Sequence, residues 1–217
     1  KNLLLYINTN ASNPSAHLIE NAPENPAEPP TFVMLLRKQL ETGRIAAVRQ
    51  EGRDRIIHLD IDVIAGGGRI TTRTLTLELI GKYSNIILVQ DGVVIDALKK
   101  VGSANSRTRL ILPAREYAPP PAQEKLDLRT VKPDTIVERL AQDAEATLCK
   151  GLLNVCLGFG PVSAREVIFS AGLPEKMSCA DLDAKDKEAL QCALAEVYAA
   201  CIEEEAAPGL TLDKNNK

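Results

Sequence analysis

The sequence predicts an α+β domain, a mostly antiparallel sheet with one helix packed on it, followed by a small all-α module. Three observations carry that prediction. Between Arg44 and Leu98 apolar residues recur at every second position in short runs separated by turn residues, the signature of half-buried strands. One helix-spaced segment lies ahead of those runs. Beyond a Pro-rich stretch the apolar spacing changes to the three-and-four pattern of helices, so strands and helices are segregated along the chain.

Taken in order, Lys1 to Ile7 reads as a strand. The following polar stretch to Pro30 contains five prolines and is expected to be a loop without long regular structure. "TFVMLLRKQLETG" then predicts a helix, with Thr31 as cap, Phe32, Leu35, Leu36 and Leu40 on one face, and Gly43 as terminator. "RIAAVRQ" and "DRIIHLDIDVI" predict two strands, the second showing strict alternation through Ile57, Leu59, Ile61 and Val63. The glycines of "AGGGR" turn the chain into "ITTRTLTLELI". "SNIILVQ" and "VVIDALKK" follow, joined by Asp91-Gly92, a strong hairpin signal. This domain is expected to run to about Leu112, and "PAREYAPPPAQEKLD" to be a linker. The boundary falls near residue 125, giving units 1–124 and 125–217. Helical patterns occupy "PDTIVERLAQDAEATLCKGLLNV", "GPVSAREVIFSAG" and "DAKDKEALQCALAEVYAACIEEE".

Composition narrows the classes of function. The 217 residues are 45% apolar and carry a net charge of −3, so the chain can build a core. That average hides an asymmetry: Lys99 to Arg115 holds five basic residues and no acidic one, whereas Glu175 to Glu205 is strongly acidic. Local charge governs contact with phosphate. Five cysteines without a close CxxC pair read as reduced thiols in the cytoplasm. No run of eighteen apolar residues is present, so no membrane-spanning helix is expected. The strand-like first residues lack an initiating Met, and we expect the chain to begin inside a domain.

Sequence offers little for catalysis. GxSxG, Walker A and HExxH patterns are absent, and no cofactor or metal is expected. His58 falls on the polar face of its strand and is expected to face solvent; Asp60 and Asp62 share that face. "CLGFGPVSAREV" has the pattern of a helix-hairpin-helix, in which Gly158 and Gly160 form a tight turn and Ala164 allows close helix packing. Backbone N–H groups at such a turn can hold a phosphate, or the turn can be an αα-corner that only packs. Lys99, Lys100, Arg107 and Arg109, with Arg115 beyond and Ser103, Asn105 and Ser106 between, are candidate phosphate contacts. By periodicity alone, Arg53 and Arg55 read as solvated loop residues with Asp54 as a turn former.

Five segments change that last reading. "ENPAEPPTFVMLLRKQLETGRI", "QEGRDRII", "LTLELIGKYSNIILV", "GVVIDALKKV" and "SRTRLILPAREYAPPP" follow one another in the order and spacing of the NFACT-N domain. The chain resembles the N-terminal region of the RqcH and NEMF family, whose bacterial members are also catalogued as fibronectin-binding protein A. The resemblance implies an N-terminal fold like that of Fpg-type DNA glycosylases, followed by a helix-hairpin-helix. The glycosylase nucleophile, an N-terminal proline, has no counterpart here, so glycosylase activity is not carried over. It implies a non-catalytic factor of ribosome-associated quality control. Such factors bind tRNA, alanyl-tRNA in bacteria, and the obstructed large ribosomal subunit, and support C-terminal alanine tailing of stalled chains. It places a tRNA-binding pair on Asp54 and Arg55, with Arg53 beside them as a weaker contact. One departure is Ala114, where the family commonly has Gly. The rival reading is a surface adhesin with fibronectin as partner.

Overall fold

The computed structural model describes residues 2–52, 54–104, 109–121 and 123–202. The chain divides into two compact units at Pro121/Ala122. The first is α+β and the second is helical, each with its own buried core.

The first unit opens with β1 (Leu4–Asn8) and β2 (Ser15–Ile19), an antiparallel pair in which Tyr6 faces His17. The second of these strands lies inside the stretch expected to be loop. Its turn contains no glycine; asparagine side chains build it, Asn8 Oδ1 accepting from Asn10 N at 2.9 Å and Asn10 Oδ1 from Ser12 N at 3.1 Å. Such Asx turns replace the backbone freedom of glycine. Pro14 stands just ahead of the strand, where it costs the ladder no donor.

Helix α1 (Thr31–Leu40) matches its predicted span, but its N-cap is Pro30 and no side chain caps it. Thr31 is therefore the first helical residue, and the Pro30 carbonyl accepts from Val33 N and Met34 N at 2.9 and 3.2 Å. Phe32, Leu35, Leu36 and Leu40 pack inward as the spacing predicts. At the C-terminus the left-handed residue is Thr42 (φ 65°). Gly43 serves a different need: a Cβ there would lie 2.6 Å from Ile61 Cγ2 and 2.9 Å from the Leu40 carbonyl, so only glycine lets the chain pass this close to the sheet.

The main sheet is an antiparallel meander of β3 (Arg44–Gln50), β4 (Ile56–Ile64), β5 (Ile70–Glu78), β6 (Asn85–Gln90) and β7 (Val93–Ala97), in that spatial order. Asp91 and Gly92 both have positive φ, 50° and 77°, as a two-residue hairpin turn of the predicted kind requires. Alternation gives the sheet two faces. Leu59, Ile61, Val63, Leu75, Leu77 and Leu88 form one core with α1. Ile87, Val89, Val94 and Ala97 form another with Ile111, Val101 and Tyr117.

That second core corrects the linker expectation. Residues 109–117 are tied to the sheet: Val101 bridges Ile111, Val93 bridges Glu116, and Tyr117 N donates to the Gly92 carbonyl at 2.8 Å. Ala114 takes φ 61° within this strap, a conformation in which glycine carries no steric cost.

In the second unit, the run predicted as one helical stretch is two helices, α2 (Pro133–Ala141) and α3 (Leu148–Val155). Between them Ala146 is buried, and a pair of backbone bonds, Leu148 N to the Met177 carbonyl and Cys179 N to the Ala146 carbonyl (both 2.9 Å), turns the chain. α4 (Pro161–Ser170) and α5 (Ala184–Ile202) complete a core centred on Ile136, Leu140, Leu148, Leu152, Ile168, Leu190 and Leu194. Cys149, Cys156, Cys179 and Cys192 are free thiols. Burial pushes Cys156 up to about 12, which leaves almost no reactive thiolate there. Among the described residues, no helix is long and apolar enough to cross a membrane.

Candidate functional site

The turn between β3 and β4 carries Asp54 and Arg55. Among the described residues four bonds fix its backbone: Glu51 N to the Ile56 carbonyl (3.0 Å), Asp54 N to the Glu51 carbonyl (2.9 Å), Gln50 Nε2 to the Asp54 carbonyl (3.0 Å), and Leu79 N to the Arg55 carbonyl (2.8 Å). Gly52 supplies the positive φ, 51°, that the reversal needs. Asp54 is half-buried and Arg55 exposed. Among the described residues neither side chain forms a hydrogen bond or an ion pair. Arg53 lies outside the described residues.

Behind the turn, the period-2 geometry of β4 and β5 lines up polar side chains on the sheet face opposite α1. The register pairs Asp62 with Thr72, Asp60 with Thr74, His58 with Thr76, and Ile56 with Glu78. At the outer end, Thr72 donates to Asp62 at 2.8 Å and Arg44 pairs with the same carboxylate at 3.2 Å. In the next row Arg49 grips Asp60 through Nε at 2.7 Å and Nη2 at 3.0 Å, and Thr74 donates at 2.8 Å. The Arg49 guanidinium holds the Asp60 carboxyl below the usual carboxylate range, and the Asp60 charge raises Arg49 in return.

A lowered folded-state pKa means that this carboxylate stabilises the fold above its unfolded value and that the contribution disappears as pH falls through the folded one. Asp60→Asn is accordingly expected to flatten the acid limb of a stability–pH profile below about pH 4, read by urea unfolding at a series of pH values. An unchanged limb would assign the acid sensitivity to other carboxylates.

The inner rows are buried, which corrects the expectation that His58 faces solvent. His58 is only 6% exposed; its Nδ1 lies 3.0 Å from Thr76 Oγ1 and its Nε2 3.3 Å from Glu51 Oε2. Its ring meets Tyr117 edge-on, with centroids 6.3 Å apart. Glu78, 1% exposed, accepts from Arg109 Nη1 at 2.9 Å, from Arg109 Nη2, and from the Tyr117 hydroxyl at 2.9 Å. Burial pushes the Tyr117 hydroxyl well above its ordinary range, so it stays a donor. Reading every second polar residue of a strand as solvent-facing is what concealed this cluster. Its signal was the unbroken set of Thr72, Thr74, Thr76 and Glu78 opposite Asp62, Asp60 and His58, too regular for a face with nothing over it.

The remaining sequence-predicted residues are not brought together with the turn. Lys99 and Lys100 are exposed; Lys99 Nζ donates to the Thr9 carbonyl at 3.2 Å, and Lys100 pairs with Asp96 at 3.3 Å. Arg109 turns its guanidinium inward onto Glu78, away from the phosphate-contact role expected from sequence. Arg107, Asn105 and Ser106 lie outside the described residues. In the second unit, Gly158 has φ 80°, whereas Gly160 is extended and caps α4 at its N-terminus. Ala164 is fully buried, donating its N–H to the Gly160 carbonyl at 3.0 Å. The structure thus shows two helices joined by a short glycine turn. Among the described residues no group of His, Cys, Asp or Glu is placed to hold a metal ion.

The sequence profile of the family "NFACT N-terminal and middle domains" matches residues 1–217. The chain is 37% identical over 180 residues to the Rqc2 homolog RqcH of Bacillus subtilis, covering 82% of this chain and 31% of that protein. It is 36% identical over 146 residues to the Rqc2 homolog RqcH of Streptococcus pneumoniae, covering 66% and 26%. The chain therefore spans about a third or less of the length of these relatives. Among solved structures, the fibrinogen binding protein from Staphylococcus aureus superposes with a TM-score of 0.73 at 26% identity, over 93% of this chain and 67% of that one. The N-terminal part of the fibronectin/fibrinogen-binding protein from Streptococcus suis gives 0.66 at 30% identity, over 89% and 68%. With the match running along the whole sequence, the chain belongs to the NFACT N-terminal domain family.

Proposed function

We propose that this chain is the tRNA-binding part of a cytoplasmic ribosome quality-control factor. It engages alanyl-tRNA and the obstructed large ribosomal subunit and supports C-terminal alanine tailing of stalled chains. The observation that carries this reading is the 37% identity with the Rqc2 homolog RqcH, which extends over most of the chain. The β3–β4 turn fits the role. Its backbone is fixed, while the Asp54 and Arg55 side chains have no partner among the described residues. The Arg55 guanidinium can fork onto a phosphate or stack on an unpaired base. The Asp54 carboxylate can accept from a base or a ribose hydroxyl. Neither group needs to move a proton, so the factor positions tRNA while the ribosome carries out peptidyl transfer. Lys99 and Lys100 supply sequence-independent phosphate contacts.

The test is tRNA binding by the 217-residue chain at two salt concentrations, wild type against Arg55→Ala. Affinity is expected to fall with salt, as phosphate contact requires. It should fall roughly tenfold further in the variant, the worth of one charge-assisted hydrogen bond, with unfolding unchanged. A wild-type chain that does not bind, or a variant that binds equally well, overturns the reading. The S. aureus and S. suis neighbours, described as fibrinogen- and fibronectin-binding, favour a second reading as an adhesin. Retention on immobilised fibronectin, combined with no tRNA binding, would select it.

A further inference from the structure

We infer that Glu51 and His58 form a positioning pair that orients the Asp54–Arg55 turn. This inference rests on the tRNA reading above and adds to it the residues that hold the contact in place. The turn stands at the end of a β-hairpin; three bonds close it, and Leu79 N, donating to the Arg55 carbonyl at 2.8 Å, ties its far end to the chain just beyond β5. The near end, from Glu51 to Asp54, has no backbone bond to that strand among the described residues and can still tilt about the Arg55 anchor. Glu51 is the side chain placed to restrain it. Its Oε2 lies 3.3 Å from His58 Nε2, and His58 is itself buried between Thr76 (3.0 Å from Nδ1) and the edge-on ring of Tyr117. A carboxylate can only accept, so Nε2 carries a proton in this contact. The Thr76 hydroxyl can both donate and accept, so it satisfies Nδ1 either way, and the ring aims a fixed donor at the first residue of the turn. Tyr117 is in turn held by Glu78 at 2.9 Å. The turn is thereby referenced to the interior of the sheet through His58, Thr76 and Tyr117.

Two effects of removing Glu51 have opposite signs, which makes the inference decidable. Deleting an acidic group beside a phosphate-binding turn strengthens RNA binding by Coulomb's law. Deleting a brace weakens it, because the bound geometry must then be ordered at the moment of binding. If the brace dominates, Glu51→Ala binds tRNA about fivefold more weakly than wild type, the worth of one ordinary hydrogen bond. Glu51→Gln restores most of the loss, since its amide oxygen still accepts from His58. In the Arg55→Ala background the Glu51→Ala loss largely vanishes, the non-additivity expected when one residue acts through another. Glu51 is half-exposed, so these variants avoid the folding risk of replacing buried His58.

The experiment measures tRNA affinity for wild type, Glu51→Ala, Glu51→Gln, Arg55→Ala and the double variant of the 217-residue chain. Amide hydrogen exchange over residues 51–56 of each RNA-free protein accompanies it. Faster exchange in Glu51→Ala together with weaker, Gln-rescued and non-additive binding is the expected result. Unchanged exchange overturns the brace whatever the RNA does. Faster exchange with equal or tighter binding shows that Glu51 acts only as a charge, which also overturns it. A wild-type chain that binds no tRNA brings down the underlying reading, and the inference as a statement about RNA falls with it.

Discussion

Replacing Arg109 by alanine is expected to lower the stability of the first unit by about 3–5 kcal/mol, the largest single-site loss outside the hydrophobic cores. Arg109 and Glu78 are both largely buried, their side chains 13% and 1% exposed. The Arg109 guanidinium also lies 5.4 Å from the centre of the Tyr117 ring and donates through Nε to the Ala118 carbonyl. Without it, the Glu78 carboxylate keeps, among the described residues, a single neutral side-chain donor, the Tyr117 hydroxyl, while remaining almost wholly buried. An uncompensated buried charge costs far more than the intact pair contributes. The double variant Glu78→Leu, Arg109→Met is therefore expected to recover most of the loss. Urea unfolding of the three proteins tests this: a loss under about 1 kcal/mol for Arg109→Ala would show that the pair is weakly held and the strap dispensable.

The second large effect lies in the helical unit. Leu152, 0% exposed, sits on α3 among side chains of the surrounding helices, and Leu152→Ala is expected to cost about 2–5 kcal/mol through lost transfer energy and a residual cavity. The site has little room to collapse around the deletion. One turn-neighbour, Gly151, is already so close-packed that a Cβ would meet Cys179 Sγ at 2.8 Å and Leu140 Cδ2 at 2.9 Å. Phe169 on α4, 80% exposed, is the matched contrast; Phe169→Ala should change stability by no more than about 0.5 kcal/mol. Comparable losses in the two variants, measured by the helical circular dichroism signal in urea, would mean that the buried set named above is not the unit's working core.

Period-2 alternation made the main sheet legible in the sequence, because a strand buried on one face must place apolar residues at every second position. Asp91-Gly92 announced its hairpin because few residue pairs adopt two positive φ values. The first hairpin was hidden, since asparagine side chains do there what glycine usually does. Pro30 in place of Thr31 as the cap, and Thr42 in place of Gly43 as the left-handed residue, show the same limit. Turn chemistry has several solutions, and sequence names only the commonest. For the candidate site, the Asp54–Arg55 pair was found through family resemblance and not through periodicity, which reads a charged turn as solvated. His58 was read as facing solvent and Arg109 as a phosphate contact, and Glu78 and Tyr117 went unnamed, because their burial depends on the strap of residues 109–117, which Pro113 and the prolines just beyond it made look like a linker. A polar residue buried by a distant segment carries no local mark of it.

The meander order of the main sheet has a consequence for how the first unit acquires its structure. Every strand from β4 to β7 pairs with its predecessor in the sequence, so each pairing closes only a short loop and loses little chain entropy. The sheet can assemble strand by strand in the direction of synthesis. Glu78 must instead wait for a partner 31 residues further along, and until Arg109 and Tyr117 arrive its carboxylate stays hydrated on an open sheet face. The polar strap is thus a closing step in time as well as in space, sealing a sheet whose pairing is already complete.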